Sequence, residues 1–564
     1  MSSLMSVITG GQWTEFVHKE MPALEKFWKL VYKFFNLKQI KSMLMFFLVN
    51  VPEMIYVCFA VAMISFSKTK GNDDGFISLV FGRNLGHGYG AVYNLGERVE
   101  GFTNPFIVLV TAILVRIGVP DNLIPYAIMA LCILAGVVTI IAIYHYGKRV
   151  IGTGPSWAVA LIIALCPSLA FWAGSVLESS IFVLAVILVY VLVSRIDEDD
   201  DSYRHLKFTG YLVGVSLLTL LTRSDGFLVL FLIPLFFFLK GKWQWGSISS
   251  ATTSLLTSLG FGIRYFYYGR LLPNTAYAKV DGLVMDRIAN AISLLWKYGF
   301  STSVLLPVLL LLVVTISACG NVIKNRSMRT LPFEAIFFPA WLGYYLWVGG
   351  DVYYERPLVP LFPLGVYVLV KLFRGIGWNR TQLMAAMVCV FFGLFPSLPN
   401  YYSFILSRNT GQDGWLALGT YLEKHNNGES IAVDAAGKIR WAFKSTPYCL
   451  DMLGLCDSHI ASLPVQAAGP GRLGHCKWDN EYMFGKHPDL IASWLAPDLS
   501  MPLFSLFQEH YRNRGYEVRY LLNVSSGDIQ DVKGLEEEKI KAYVSEGWNY
   551  GVLERSSTVL AEKN

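Results

Sequence analysis

Long apolar runs separated by short polar breaks dominate the pattern along this chain. A membrane-spanning helix needs about 20 apolar residues, and runs of roughly that length recur from one end to the other. They lie near 44–66, 122–145, 155–173, 176–194, 247–268, 302–319, 331–348, 357–372 and 381–402. Two shorter runs, 208–221 and 226–240, flank the polar break 222–226. The pattern predicts a polytopic α-helical membrane protein.

A further apolar piece, 105–118, decides the topology. If it spans the membrane, three basic loops fall outside, against the preference of Lys and Arg for the cytoplasmic side. If it lies in the interface as a short amphipathic helix, those loops fall inside. We therefore predict about eleven spans. The loop that carries Asp73 and Asp74 and everything after about residue 403 then lie on the outer face.

The composition changes from one part of the chain to the next and predicts three regions. Residues 1–43 form a Lys-bearing amphipathic segment without a cleavable signal, which predicts a cytoplasmic N-terminus. Residues 44–403 are predicted to be the transmembrane catalytic domain. After 404, Gly, Asp, His and Asn become common and a strand-like run appears at 429–437. This predicts an extracytoplasmic soluble α/β domain over 404–564.

The overall composition excludes several classes of protein. A mean hydropathy of +0.44 with 54% hydrophobic and 16% charged residues is too apolar for an ordinary soluble protein. The net charge of +6 is small and lies in short loops, so we attribute it to topology and expect no nucleic-acid partner. No nucleotide-binding or hydrolase motif is present. A transferred group would then come from an already activated ligand, such as a lipid phosphate.

The cysteines favour no metal site. Five of the eight fall in apolar runs, where they behave as small hydrophobes. Cys449, Cys456 and Cys476 lie in the tail, where one disulfide and one free thiol would be compatible with an extracytoplasmic location. Their spacing matches no zinc pattern, and we predict no metal ligands.

Two adjacent acids, Asp73 and Asp74, are the first candidates for catalysis. They stand where the first long apolar run ends, a position at which a carboxylate is expensive unless water, a substrate or a cation reaches it. Neighbouring carboxylates repel, so one of them is expected to have a raised pKa, and either could take a proton from an acceptor hydroxyl. The alternative is a helix N-cap ahead of the apolar run that follows.

Three cations on the predicted outer face, Arg223, Lys279 and Arg356, are candidates for binding a donor phosphate. Arg grips phosphate with two hydrogen bonds at once. Each alone could instead be an interfacial anchor whose side chain reaches the lipid headgroups. Three cations on the face that carries the acid pair favour an anionic ligand.

Other polar residues on the same face are candidates for substrate binding. Glu178 is a carboxylate in an apolar context, which favours a site role over a structural pair. Asn274 and Asp351 could either bind sugar hydroxyls or hold loops in place, and His475, as a lone histidine, could instead be a structural residue. The remaining candidates for substrate binding are Glu97, Glu100, Asn104 and Asp225.

Together these segments resemble a known family. The acid-pair stretch DDGFISLVFGRNLGHGYGAVYNLGERVEGFTNP is followed by LESSIF, TRSDG, LLPNTAYAK and GGDVYYERPLVPLFPL. The tail adds CLDMLGLCDSHIA and GRLGHCKW. This order is similar to that of GT-C glycosyltransferases related to the mycobacterial terminal β-arabinofuranosyltransferase, a group that includes pilin arabinosyltransferases and proteins named for flagellar motor control. The resemblance covers about residues 70–490.

The resemblance implies a GT-C fold and an enzyme that takes arabinofuranose from a polyprenyl-phosphate donor. The acceptor would be a glycan or a pilin-like protein at the outer, periplasmic face of a bacterial inner membrane. Of the two acidic residues, Asp73 would be the more probable catalytic carboxylate, with Asp74 beside it. The Arg and Lys positions would lie near the donor phosphate. Beyond this lipid-linked donor substrate, the resemblance implies no certain cofactor.

The chain departs from the family pattern at two places. Cys476 stands where relatives often have an acid after the His, and Leu177 to Ser179 replace a Met-Glu-Thr-like stretch while keeping the acid. The first departure weakens a metal or acid role near His475.

Two other classes of function stay open from the sequence. A transporter or flippase would fit the number of spans, although such proteins usually have repeated halves and no repeat is visible here. A non-catalytic assembly factor for the cell surface would use the tail as a docking domain.

Overall fold

The computed structural model describes residues 50–67, 71–198, 205–298, 305–353, 355–375, 412–426, 428–466 and 475–556. The chain divides into Met1–Met54 and Ile55–Asn564, and every contact discussed below lies within the second unit. The predicted segment 1–43, the apolar run 381–402 and both predicted domain boundaries fall outside the described residues.

The described part of the chain before residue 376 is built from α-helices joined by short loops. The helices are α1 (Val51–Ser67), α2 (Asp73–Gly86), α3 (Pro105–Arg116), α4 (Ile124–Val150), α5 (Thr153–Ala164), α6 (Pro167–Ala173), α7 (Ser179–Glu198), α8 (His205–Thr222), α9 (Phe227–Leu239), α10 (Trp243–Tyr268), α11 (Asn274–Lys279), α12 (Val284–Tyr298), α13 (Leu305–Asn325), α14 (Glu334–Val348) and α15 (Leu361–Gly375).

Several of these helices can cross a bilayer by length and composition. Within the described residues, α4, α7 and the helical stretch Arg356–Gly375 pass this test. The pair α5 and α6, bent by 56° at its break, adds a fourth if it counts as one span. The chain is therefore a polytopic membrane protein, while the count of eleven spans stays a prediction.

Helices α2 and α3, which precede these spans in the chain, are both short. At 1.5 Å per residue, the 12 residues of α3 extend about 18 Å, well short of the hydrocarbon thickness of about 30 Å. Pro105 occupies the first turn of α3, where its missing N–H costs nothing. The length of α3 agrees with the expectation that this piece does not span.

Close packing joins α2 to α3. A Cβ added to Gly82 on α2 would lie 2.5 Å from the Cβ of Thr111 on α3 and 2.8 Å from the carbonyl oxygen of Val108. Gly82 is buried in this contact. The absence of a side chain at this position therefore sets how near the two helix axes come.

Residues from 412 onward form the predicted α/β domain. Its elements are α16 (Gln412–His425), β1 (Ile431–Val433), α17 (Lys438–Ala442), β2 (Cys449–Asp451), α18 (Ser458–Ala461), α19 (Asn480–Gly485), β3 (Leu490–Trp494), α20 (Gln508–Arg512), β4 (Tyr516–Leu522), β5 (Ile529–Asp531), α21 (Glu537–Ser545) and β6 (Tyr550–Arg555).

One mixed six-stranded sheet organises this domain, in the order β2-β1-β3-β6-β4-β5. The first three strands are parallel, with Ile431 opposite both Cys449 and Leu490. The remaining pairings are antiparallel. Strand β1 is buried along its whole length, as expected for a central parallel strand covered on both faces. The loops that leave the carboxyl ends of β1 and β2 face the membrane part of the chain.

The cysteines of the domain form no disulfide with one another. Cys449, Cys456 and Cys476 are all buried. The one disulfide that an extracytoplasmic tail could accommodate is not formed.

The contact between α2 and α3 gives the first prediction. Gly82→Val should overpack this contact and destabilise the protein by about 1–3 kcal/mol. The control is Gly154→Ala in α5, where an added Cβ meets no atom within 4 Å. Thermal unfolding of both purified variants in detergent measures the effect. Equal midpoints for the two variants would contradict the packing argument.

Candidate active site

A cavity of about 630 Å³ opens between the loops that leave the membrane helices. Its wall comes from the start of α2, the loop before α3 and the break between α6 and α7. Further wall residues come from parts of the stretch that begins just before α9 and ends in the first turn of α12, and from the end of α14 with the segment after it. Leu455, from the loop after β2, adds one residue from the soluble domain. The predicted outer-face clusters therefore meet around one space.

The two adjacent aspartates have different surroundings. Asp74 lines the cavity, whereas Asp73 does not. Successive residues of an α-helix point about 100° apart, so neighbours in the first turn of α2 cannot share one environment. Asp74 accepts no hydrogen bond and forms no ion pair within the described residues. Its carboxylate is available to a ligand.

Asp73 holds the soluble domain instead. Its carboxylate accepts hydrogen bonds from the backbone N–H of Gly437 at 3.0 Å and of Lys438 at 2.7 Å. These groups begin α17, where backbone donors have no partner within the helix. The backbone of Asp73 also packs so closely on Gly437 that a Cβ at 437 would overlap its carbonyl oxygen.

Burial raises the pKa of Asp73 to about 6, although the two backbone N–H groups oppose this rise. The charge of Asp74 adds to it. One of the paired acids thus has the raised pKa that their adjacency predicts, but desolvation contributes more to it than repulsion.

Other side chains near α2 also form hydrogen bonds to the soluble domain. Asn94 donates to the carbonyl of Cys449 at 2.9 Å and accepts from its N–H at 3.0 Å, which extends the edge of β2 with an amide. The Tyr93 hydroxyl donates to the carbonyl of Ala436 at 2.6 Å. The loop between α2 and α3 therefore binds the loop that follows β1 and the first residue of β2.

Asn274 acts in the same way on the loop that follows β2. Its amide nitrogen lies within hydrogen-bond distance of three carbonyl oxygens, those of Gly454, Leu455 and Asp457, at 2.8, 3.1 and 3.0 Å. Asp451 accepts from the N–H groups of Leu453 and Cys456 and so folds this loop from within. Asn274 does not line the cavity, but it holds the loop from which Leu455 enters the wall.

Arg223 is held in an ion cluster on one wall. It makes two hydrogen bonds to Asp225, at 2.9 and 2.8 Å, and one to Glu178 at 3.1 Å. Asn104 donates to the second oxygen of Glu178 at 2.9 Å. The Tyr344 hydroxyl donates to Asp225 at 2.9 Å. Two carboxylates already neutralise Arg223, so this predicted phosphate ligand is largely occupied by protein.

Arg356 and Lys279 approach a different acid, Asp351. The Arg356 guanidinium lies 3.3 Å from the Asp351 carboxylate. Burial alone would raise the pKa of Asp351, but the charges of Arg356 and Lys279 lower it below the ordinary value. The guanidinium Nε of Arg356 is buried without a hydrogen-bond partner in the described part of the chain. Arg356 therefore keeps a free donor.

The charges that line the cavity do not all cancel. Arg264 pairs with Glu100 at 2.5 Å, and Asp281 pairs with Lys477 at 3.0 Å. Among the described residues, Lys279 and Arg287 form no ion pair, although both line the wall. Two cations without an ion pair and the unpaired carboxylate of Asp74 thus line one space.

Two predicted substrate-binding residues lie away from the cavity. Glu97 accepts from Asn94 at 3.2 Å and belongs to the interdomain contact. His475, in the tail, is not among the lining residues. Glu100 reaches the site only through Arg264, while Asn104, Glu178, Asp225 and Asp351 all line it.

The residues that sequence reasoning missed are Arg264, Arg287 and Tyr344. Arg264 stands inside the otherwise uncharged run of α10, and Arg287 lies one turn into the amphipathic helix α12. A lone Arg in an apolar helix was the available signal for Arg264. Among the described residues, no group of three or more His, Cys, Asp or Glu side chains could hold a metal ion.

The sequence matches no protein-family model and no curated protein. Solved structures do match. The Archaeoglobus fulgidus oligosaccharyltransferase, in complex with Zn and sulfate, has a TM-score of 0.51 at 9% identity, over 85% of this chain and 72% of that one. ArnT from Cupriavidus metallidurans, bound to undecaprenyl phosphate, has a TM-score of 0.50 at 11% identity, over 90% and 99%.

These likenesses concern the fold. The chain has the GT-C fold, with a polytopic membrane part and a soluble domain that follows it, as the resemblance in sequence implies.

The titration of Asp73 gives the second prediction. Its folded pKa of about 6 exceeds the ordinary 3.8, so the folded chain holds this proton more tightly than the unfolded chain. The contribution of Asp73 to stability is then full below about pH 4 and is lost as the pH rises through about 6. Relative to the non-titrating Asp73→Asn variant, the wild type should lose on the order of 3 kcal/mol between about pH 4 and pH 7.

Denaturant unfolding of both proteins at several pH values measures this difference. Asp121→Asn, which alters a partly exposed acid beside Arg83 and Lys444, serves as the control for a general charge effect. A stability difference between wild type and Asp73→Asn that does not change with pH would contradict the assignment.

Proposed function

We propose that this protein is a membrane glycosyltransferase that moves a sugar, arabinofuranose, from a polyprenyl-phosphate donor to a glycan or protein acceptor. The reaction takes place at the outer, periplasmic face of a bacterial inner membrane. The observation that carries the proposal is the cavity in which the unpaired carboxylate of Asp74 shares one space with Lys279, Arg287 and Arg356. The GT-C fold supports it, and the sugar comes from the resemblance in sequence.

The proposed chemistry is displacement at the anomeric carbon of the donor sugar. Asp74 accepts the proton of an acceptor hydroxyl while that oxygen bonds to the anomeric carbon. The bond from this carbon to the phosphate oxygen breaks, and its electron pair leaves with the polyprenyl phosphate. Since this leaving group is a weakly basic anion, no general acid is required.

The cations differ in this proposal in how directly they contact the donor phosphate. Lys279 and Arg287 form no ion pair in the described chain, and Arg356 has a free Nε, so these three are the groups that meet the developing phosphate charge. Arg223 is neutralised by Asp225 and Glu178. Its proposed role is to keep the wall in place and to contribute to the field of the site, with little direct contact to phosphate.

The wall also suits a lipid-linked donor. Between the charged groups it carries large apolar side chains, including Phe227, Phe261, Leu272 and Trp347. A prenyl phosphate presents an apolar chain and a charged head to such a surface. The bound undecaprenyl phosphate in the similar ArnT structure is consistent with this substrate class.

The geometry assigns different proposed roles to the two aspartates. Asp74 is the general base. Asp73, which the family resemblance implies as the more probable catalytic acid, is proposed to position the soluble domain and the first turn of α2 through Gly437 and Lys438.

Replacing the two acids separately gives the third prediction. Asp74→Asn should lower transfer by roughly 10²–10⁴-fold, because the acceptor loses its base, with an unchanged melting temperature. Asp73→Asn should keep measurable transfer and instead change the pH dependence of stability as described above. The measurement is mass spectrometry of the acceptor after incubation of purified enzyme with synthetic polyprenyl-phosphate arabinofuranose. Full activity of a folded Asp74→Asn protein would refute the assignment of the base.

The unpaired cations give the fourth prediction. Lys279→Gln should raise the donor KM and lower kcat, with a combined loss of roughly tenfold or more, because a charge-assisted bond to phosphate is removed. The control is Lys371→Gln, in which the lost cation pairs with Glu334 outside the cavity. Equal kinetics in the two variants would show that the uncompensated charge is not used.

Comparing surface glycans and glycoproteins with and without the gene tests the function as a whole. A pentose that disappears from a defined acceptor names both substrates at once. No change in any glycan or glycoprotein would speak against a transferase.

A further inference from the structure

A second cleft, of about 650 Å³, lies in the soluble domain. Its wall comes from loops and short helices, and the residues that matter here are Gln466, Trp478, Asn480, Glu481, Asn513 and Arg514. The volume is within the range of about 300–1,000 Å³ typical of ligand pockets. None of these residues takes part in the interdomain contact described above.

The amides in this cleft are oriented but not saturated. Gln466 donates its amide N–H to the carbonyl of Trp478 at 2.6 Å, and Asn480 donates to the carbonyl of Phe504 at 3.0 Å. Each of these bonds fixes a side chain and leaves its carbonyl oxygen without a partner in the described chain. The side chain of Asn513 has no hydrogen-bond partner there either. An amide of this kind can both donate and accept.

Trp478 adds an aromatic ring to the amides of the cleft. Its ring packs edge-on against Phe504, with centroids 6.5 Å apart, while the residue stays partly exposed on the cleft. The indole N–H has no partner among the described residues. The cleft therefore offers an aromatic ring packed in place with a free donor, next to two oriented amides and the unbonded amide of Asn513.

The two acidic side chains that line the cleft already have protein partners. Arg514 holds both oxygens of Glu481, at 2.9 and 2.6 Å. Asp479 is paired with His459 at 2.9 Å. A ligand matched to this surface is uncharged, with many hydroxyl groups and some apolar C–H surface, which is the chemistry of a neutral oligosaccharide.

A peptide is a poorer match to the same surface. Extended peptides usually bind by adding a strand to an exposed sheet edge. The residues that line the cleft belong to loops and to α19 and α20, and none of them lies in a strand.

One short segment connects the cleft to the cavity. The ammonium of Lys477 donates to the carbonyl of Tyr277 at 2.9 Å and pairs with Asp281 at 3.0 Å. Tyr277 and Asp281 both line the cavity, whereas the next residue, Trp478, lines the cleft. A side chain bonded to the cavity wall and a side chain of the cleft wall therefore come from consecutive residues, Lys477 and Trp478.

We propose that this cleft is a subsite for a neutral oligosaccharide, namely the part of a glycan acceptor that lies remote from the reacting hydroxyl. The inference rests on the proposed function in so far as it names the ligand as acceptor. It makes the acceptor a glycan several residues long. A longer acceptor then gains affinity that a single sugar does not.

The test uses the purified full chain and a linear arabinofuranosyl hexasaccharide as the probe, with methyl arabinofuranoside as the short acceptor. The double variant Gln466→Ala/Asn513→Ala removes two of the amides. It should weaken hexasaccharide binding in calorimetry by roughly tenfold, given the usual contribution of two hydrogen bonds. The acceptor KM for the hexasaccharide should rise by a similar factor with kcat unchanged, and transfer to methyl arabinofuranoside should not change.

The control variant is Gln530→Ala on β5, an amide that does not line the cleft. If the double variant does not fold, Asn513→Ala alone replaces it, because that side chain is exposed and makes no bond. Equal hexasaccharide binding by wild type and cleft variants would overturn the inference. So would absence of hexasaccharide binding to the wild type, an equal effect on the short acceptor, or displacement of the hexasaccharide by an unglycosylated peptide.

Asp74→Asn separates this inference from the proposed function. That variant should bind the hexasaccharide as the wild type does while its transfer falls by roughly 10²–10⁴-fold. Binding that depends on the cleft in a wild-type protein without transferase activity would leave the subsite standing and the function refuted. Transfer to the hexasaccharide that is the same in the wild type and in the cleft variants would leave the proposed function standing and refute the subsite.

Discussion

The wall of the candidate active-site cavity depends on hydrogen bonds from side chains of the membrane part to the backbone of the soluble domain. Asp73, Asn94 and Asn274 each bind main-chain groups, respectively at the start of α17, at β2 and in the loop that follows β2. Backbone groups cannot change rotamer, so these bonds set position more strictly than contacts between two side chains would. Through them the soluble domain becomes part of the cavity wall, represented there by Leu455.

The charge pattern of the cavity follows from this closure. A buried ion needs a partner, because removing it from water is costly. Most ions around the cavity have one: Arg223 has two acids, and Arg264 has Glu100. The groups left without a partner, Asp74 among them, are therefore the ones whose cost a bound substrate would offset. Counting partners in this way distinguishes structural charges from charges available for chemistry more sharply than proximity to the cavity does.

The sequence was informative about which segments meet and less so about what each residue does there. The apolar runs located the helices, and the polar breaks that carry Arg223, Lys279, Asp351 and Arg356 do converge, because the outer ends of neighbouring helices lie close together. The roles of Asp73 and Asp74 could not be read from adjacency. They depend on the phase of α2 and on the position of Gly437, which is 364 residues away in the chain.

Other pairings were hidden from the sequence for the same reason. For Asn274 two alternatives stayed open, binding sugar hydroxyls or holding loops, and only the fold shows that its partners are loop carbonyls about 180 residues further along the chain. Glu100 and Arg264 form a pair across 164 residues, and neither local pattern indicates the other. Tyr344 lies among other aromatic residues of an apolar helix, and nothing in the local sequence indicates that its hydroxyl donates to Asp225. Local patterns predict elements and exposure, whereas pairings between distant residues require the fold.

The contact between Asp73 and Gly437 has a consequence for how such a protein can diversify. Two main chains touch there, with no room for any side chain between them. A soluble domain from another protein could be grafted onto this membrane scaffold without repacking only if it brought a glycine to the same contact. Exchange of this domain is thus constrained by one missing methyl group, a constraint that the loops around the second cleft do not share.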